Sequence, residues 1–168
     1  MNIPLFKPDM GEEEVGAIRQ AIQSGWIGLG PKTREFEDAF AKYIGADFMI
    51  GLNSCTAALH LALRVLNLKP GDEVITTSLS FVSTNHAILY NRCRPVFADI
   101  DEDTLNISAE DIKRKITNRT KAILVVHFAG HPCEMDEILA IARKKGVCFL
   151  FFQLNKEVAH FLQHIPGA

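Results

Sequence analysis

Asn53-Ser54-Cys55-Thr56-Ala57-Ala58-Leu59-His60-Leu61-Ala62-Leu63 is the stretch from which the rest of the chain can be read. A short apolar run, Phe48-Met49-Ile50-Gly51-Leu52, precedes it and reads as a buried strand. An Ala- and Leu-rich run follows, with apolar residues on nearly all sides, so a helix there is expected to be covered on more than one face. Between the two lie small residues able to cap a helix. A strand that turns directly into a helix leaves the first backbone N–H groups of the helix unpaired. With the positive end of the helix dipole, those donors suit a phosphate or carboxylate. Two readings stay open here: an anion site, or Ser54 and Thr56 acting only as caps.

Working outward, the same punctuation recurs. Residues 1–9 carry Pro4 and Pro8 and read as an extended arm. Gly11–Ser24 places Val15, Ile18 and Ile22 on one helical face and stops at Gly25. A Gly-rich loop, Trp26–Pro31, holds the single tryptophan, which either lines a site or subunit contact or anchors the loop to the core. A second helix runs from Pro31 to Ile44, with Pro31 suited to its first turn and Gly45 to its end. Beyond the central stretch, strands are expected at Glu73–Thr76, Arg94–Ala98, Ala122–His127 and Val147–Phe152. Helices are expected near Thr84–Tyr90, after a Ser108 cap, and through Met135, Ile138, Leu139 and Ala142 to Gly146. Alternating strands and helices predict an α/β domain: a three-layer sandwich around a mostly parallel sheet with right-handed crossovers. Ligands of such sheets lie at the carboxyl ends of the strands.

Composition excludes several classes. The 168 residues are 48% hydrophobic and 23% charged, enough for one domain with a core. A net charge of −2 gives no electrostatic case for nucleic acid or an anionic membrane. Apolar runs are too short for a membrane span, and the N-terminus lacks the apolar core of a secretion signal, so a cytoplasmic protein is expected. Cys55, Cys93, Cys133 and Cys148 form no C-x-x-C pair, which points to buried free thiols and not to zinc or disulfides. Cys55 is the exception, because a helix N-terminus lowers a thiol's pKa. His60 and His86 read as packing or surface residues, and His131, His160 and His164 form no metal-ligand spacing. No G-x-G-x-x-G follows the first strand, which argues against a Rossmann nucleotide binder.

Seven motifs stand in order along the chain: S-G-W-I-G-L-G (24–30), F-E-D-A-F-A-K-Y-I-G (36–45), the central stretch (53–63), P-G-D-E-V-I (70–75), S-F-V-S-T (80–84), P-V-F-A-D-I-D (95–101) and V-H-F-A-G (126–130). Together they resemble the DegT/DnrJ/EryC1/StrS family of pyridoxal-phosphate (PLP) sugar aminotransferases, over about residues 1–150. The resemblance implies the N-terminal part of the large domain of fold-type I PLP enzymes, with 151–168 a divergent tail. It also implies transfer of an amino group, usually from glutamate, to a keto nucleotide-sugar, in homodimers. On this resemblance, Ser54, Cys55 and Thr56 form the cradle for the PLP phosphate, with Cys55 where the family usually has glycine. Phe81 falls where an aromatic ring lies against the pyridine face. Without the resemblance Phe81 would read as core. His127 lines or supports the site, or is a satisfied structural histidine.

The resemblance stops after Leu150. The family has Glu-Asp there, and that Asp pairs with the pyridine nitrogen and keeps the ring an electron sink. Aligned on Gly146-Val147, this chain has Phe151 and Phe152, which accept no hydrogen bond. The family's lysine that bonds the cofactor aldehyde lies further on than Ala168, and Lys156 is too early to replace it. A shifted frame or truncated gene near 151 is therefore expected, with weak or no PLP binding and no catalysis by this chain alone. The alternatives are a non-catalytic interaction or regulatory module, or another fold-type I chemistry such as a dehydratase or desulfurase.

Overall fold

The computed structural model describes residues 8–152, which fall into two units, 8–51 and 52–152.

The first unit contains α1 (Glu12–Gln23) and α2 (Pro31–Ile44). The Gly11 N–H donates to the Glu14 carboxylate at 2.6 Å and opens α1. Pro31 occupies the first turn of α2, and Gly45 closes it at φ +73°, in the left-handed region that glycine adopts without penalty. Phe36, Phe40 and Tyr43 form a ladder along α2, with ring centroids 5.7 and 6.3 Å apart. Neither helix buries a residue. The strand expected at Phe48–Leu52 is absent. A strand exists only through the ladder it makes with a neighbour, and no strand of the described residues pairs with this run. Phe48 is 90% exposed, and the Gly51 N–H donates instead to Glu37 Oε1 at 2.7 Å.

The second unit is a parallel sheet of four strands, β1 (Glu73–Thr77), β2 (Arg94–Ala98), β3 (Thr120–Val126) and β4 (Cys148–Phe152), in the order β2-β1-β3-β4. Four helices cover it: α3 (Cys55–Val65), α4 (Val82–Tyr90), α5 (Ala109–Lys115) and α6 (Met135–Lys145). Side chains of a strand alternate between faces. Val74, Ala122 and Leu124 pack with Leu59, Leu63, Ala87 and Ile88 of α3 and α4. Ile75, Ile123 and Val125 pack with Ile112 of α5 and Ile138 and Ile141 of α6. The three-layer sandwich expected from the alternation of elements is therefore present. α3 differs from expectation in one respect: Leu59 and Leu63 are buried, but Leu61 and Val65 are exposed, so one face of this helix is covered and not several. No helix among the described residues is long and apolar enough to cross a membrane.

The strand starts are tightly joined. Glu73 is buried at the first position of β1, and its carboxylate accepts from Thr117 Oγ1 at 2.5 Å and from Arg119 at 3.0 Å. The Thr117 hydroxyl bond, helped by Arg119 and Arg94 against the opposing effect of burial, holds the Glu73 carboxyl below its ordinary pKa.

Candidate functional site

The carboxyl ends of the strands are where the expected site residues gather. Cys93 Sγ, just before β2, lies 3.8 Å from the Lys69 carbonyl, so the turn leaving α3 sits at the strand starts. The N-terminus of α3 therefore points to the opposite, carboxyl end of the sheet. There Ser54 is the N-cap. Its backbone is extended and its hydroxyl accepts from the Ala57 N–H at 3.2 Å. The Ala58 N–H goes to the Ser54 carbonyl at 3.1 Å. That leaves the Cys55 and Thr56 N–H groups and the Thr56 hydroxyl with no hydrogen-bond partner among the described residues. Ser54 thus caps the helix and still leaves two amides open, so the two sequence readings are compatible.

Phe81 lies at the same end, as N-cap of α4. Its ring is 76% exposed, so it is not core. Two buried polar atoms nearby in the chain, Thr76 Oγ1 on β1 and Asn85 Oδ1 on α4, also have no partner among the described residues. Thr76 follows Val74 on the face covered by α3 and α4.

His127 is in a different place. Two residues beyond Val125, it continues the face packed against α5 and α6. Its Nδ1 accepts from the Cys133 N–H at 3.0 Å, which puts the ring proton on Nε2, and burial lowers its pKa. The sheet brings Ser54, Cys55, Thr56 and Phe81 to one side of the strand ends and His127 to the other, where it supports the loop after β3.

That loop is held by a residue between β2 and α5 that the sequence did not single out for this role. Asn106 is 3% exposed. Its Nδ2 donates to the His131 and Pro132 carbonyls at 3.0 and 3.1 Å, and its Oδ1 accepts from the Phe128 N–H at 2.9 Å. One amide fixes residues 128–132, including Ala129 at φ +50°. The only sequence signal is a polar residue between the apolar Leu105 and Ile107.

Cys55 is exposed, and partial burial raises its thiol pKa instead of the helix N-terminus lowering it. Cys93 and Cys133 are buried, as expected, and burial pushes Cys133 up to about 11; Cys148 is half-buried. In the first unit Trp26 is exposed and bonds its own loop, Nε1 to the Leu29 carbonyl at 2.8 Å. A side chain at Gly30 would put its Cβ 1.9 Å from that ring nitrogen. Trp26 lines a cavity of about 500 Å³ with Leu29, Arg34 and Glu37. Among the described residues no group of three or more ligating side chains suits a metal.

A family model described as the DegT/DnrJ/EryC1/StrS aminotransferase family matches residues 8–151. The chain belongs to this family. Spore coat polysaccharide biosynthesis protein SpsC of Bacillus subtilis is 47% identical over 166 residues, which is 99% of this chain and 43% of SpsC. The dTDP-4-dehydro-2,3,6-trideoxy-D-glucose 4-aminotransferase of Saccharopolyspora spinosa is 46% identical over 150 residues, 88% of this chain and 39% of that one. Among solved structures, GDP-4-keto-6-deoxy-D-mannose-3-dehydratase of E coli, with bound hydrated PLP, superposes with a TM-score of 0.86 at 31% identity, covering 92% of this chain and 41% of that one. The chain thus spans about two fifths of the length of these DegT-family relatives. The alignment with SpsC runs past residue 151, although the tail was expected to match nothing in the family. Residues 153–168 lie outside the described residues.

The family is PLP-dependent and its members have the fold-type I architecture. The open amides at α3 fit the phosphate of that cofactor: two backbone donors and the Thr56 hydroxyl belong to the first turn of an 11-residue helix, at its positive end.

Proposed function

We propose that this chain is the cofactor-phosphate-binding part of a PLP-dependent aminotransferase. The enzyme would move an amino group from an amino acid, glutamate by preference, to a keto nucleotide-sugar used in polysaccharide or cell-surface sugar biosynthesis. The observation that carries this reading is the pair of unpartnered N–H groups at Cys55 and Thr56 above the Ser54 cap. PLP, when bound, supplies an electron sink for the reacting amino acid. The chain's own contribution is to grip the phosphate with Cys55, Thr56 and the Thr56 hydroxyl, and to offer the Phe81 ring as a wall.

The aminotransferases among the relatives support the reaction class, and SpsC supports the polysaccharide setting. A homodimer is part of the proposal, supported by the exposed apolar side chains Val15, Ile18, Ile22 and Phe36 of the first unit. A cytoplasmic location is supported by four free cysteines. One observation favours a second reading: one of the solved neighbours is a dehydratase, so loss of water from the sugar is the competing chemistry on this fold.

We further propose that the chain by itself binds the cofactor weakly and does not carry out transamination. Support comes from Phe151 and Phe152, the last two positions of β4, where the family pattern has Glu-Asp. A borohydride-resistant PLP adduct on a lysine of this chain would overturn that part.

Calorimetric titration of the 168-residue chain with pyridoxine 5′-phosphate tests the phosphate site, because this analogue has no aldehyde to react with surface lysines. Binding is expected, and Thr56→Val is expected to weaken it about tenfold, the loss of one hydrogen bond to a charged group. Equal affinity for the variant would remove Thr56 from the site, and no binding by the unmodified chain would overturn the reading.

A further inference from the structure

Phe81 breaks two local rules at once. A helix N-cap favours a residue whose side chain accepts an amide, and phenylalanine has no such atom. A large apolar ring also favours burial, and this one is 76% exposed. Local rules broken together in an otherwise consistent fold mark a place where something other than stability selects the conformation.

The surrounding turn supplies what Phe81 cannot. The Ser80 hydroxyl donates to Thr84 Oγ1 at 2.8 Å, across the first turn of α4. The Thr84 N–H donates to the Phe81 carbonyl at 3.0 Å. The Leu79 N–H donates to Thr77 Oγ1 at 3.3 Å, and Asn85 Nδ2 to the Thr77 carbonyl at 3.4 Å. Thr84 is 2% exposed, so its hydroxyl sits beneath the turn while the Phe81 ring stands above it. The bond is buried at its Thr84 end and partly shielded at its Ser80 end, and it ties the residue before the Phe81 cap to the first turn of α4. The ring therefore does not collapse onto the exposed Val82 or fold back on the helix.

We infer that Ser80 and Thr84 are positioning residues: their hydroxyl–hydroxyl bond holds Phe81 at the helix cap with its ring exposed, ready to stack on a phosphate-bearing aromatic ligand. The inference rests on the proposed role of Phe81 beside the phosphate cradle. Stacking that needs a fixed plane loses its benefit when the ring is free to turn, because the ordering cost then falls on the binding step.

The test compares pyridoxine 5′-phosphate with inorganic phosphate on the 168-residue chain by calorimetry, for the unmodified protein, Phe81→Ala, Thr84→Val and Thr84→Ser. The unmodified chain is expected to prefer the aromatic ester, and Phe81→Ala to lose that preference by about fivefold or more. Thr84→Val is expected to lose a similar part of the preference with its affinity for inorganic phosphate unchanged, and Thr84→Ser to restore it. Ser80→Ala removes the donor from the more accessible end and is expected to behave as Thr84→Val does, which covers a Thr84→Val chain that fails to fold. Folded Thr84→Val and Ser80→Ala chains that keep the full preference overturn the inference while leaving Phe81 as the stacking ring. Equal loss of both ligands overturns it as well, since that is the mark of a merely structural bond. Absence of any aromatic preference in the unmodified chain removes the stacking role of Phe81, and the inference falls with it.

Discussion

On the α5 and α6 side of the strand ends nearly every hydrogen-bonding group is committed, whereas on the α3 and α4 side several are held open. Asn106 uses both donors and one acceptor on the loop after β3, and His127 takes the Cys133 amide. Asp111 accepts the Asp99 N–H at the end of β2. Across the sheet, the Cys55 and Thr56 amides, Thr76 Oγ1 and Asn85 Oδ1 have no partner among the described residues, and Phe81 faces outward. Both sides are built on the same strands, so the difference does not come from the sheet. A committed rim is what stability requires of buried polar groups. An open rim costs stability, and such a cost persists where a ligand supplies the missing partners. One side therefore has a structural task, and the other carries the open groups on which the proposed phosphate site rests.

The largest test of this division is Asn106→Ala. It strands one buried N–H and two carbonyls, at about 1–3 kcal/mol for each group that finds no water, so a loss of about 3 kcal/mol is expected. Thermal unfolding followed by circular dichroism should then show a midpoint lower by about 10 °C. A fall under about 2 °C would mean that the loop satisfies itself and that the committed side is less committed than its bonds suggest.

A smaller effect is expected at Asp111. Its carboxylate accepts from the Asp99 N–H at 2.7 Å and pairs with Arg114 and Lys115. The Asp99 bond first, then Lys115 and Arg114, hold its pKa below the ordinary 3.8 against the effect of burial. A carboxyl that binds its proton less tightly in the folded chain stabilises the fold above the unfolded value, and that contribution is lost as pH falls through the folded value. Asp111→Asn should therefore cost about 1 kcal/mol at pH 7 and reduce the slope of stability against pH below about 4. Denaturant titrations at pH 7 and pH 3 measure both. An unchanged slope would locate the acid sensitivity elsewhere, with Glu73 at the amino end of the strands the next group to replace.

The two sides also differed in how well the sequence announced them. Ser54 reads as a cap because small polar residues before an Ala-rich run have a local meaning, and the same holds for Pro31, Gly45, Ser108 and Gly146, each at the helix end expected. Local rules identified these because the partner lies within a few residues. Asn106 binds carbonyls 25 and 26 positions away, and no periodicity reports such a contact. The Phe48–Leu52 run failed for a related reason: apolarity records a tendency to be buried, but not which strand, if any, stands alongside. His127 showed the limit of motif position, since ending a strand fixes the rim and only the alternation of side chains fixes the face.

The smallest effect expected is chemical. Two influences act on Cys55: the positive end of α3 favours the thiolate, and burial disfavours it. Partial burial raises the pKa of this thiol, so low reactivity is expected at the open rim. Alkylation by iodoacetamide at pH 7 should be slower than for a free cysteine, and should still be rising with pH at pH 9, since the thiolate is the attacking species. Cys93 and Cys133, both buried, should stay unmodified while the chain is folded. Saturating pyridoxine 5′-phosphate should slow the Cys55 reaction further by covering the helix end. A rate that levels off near pH 7 would mean that the helix dipole outweighs burial, and Cys55 would then be a nucleophile held at the cradle, not a small residue tolerated there.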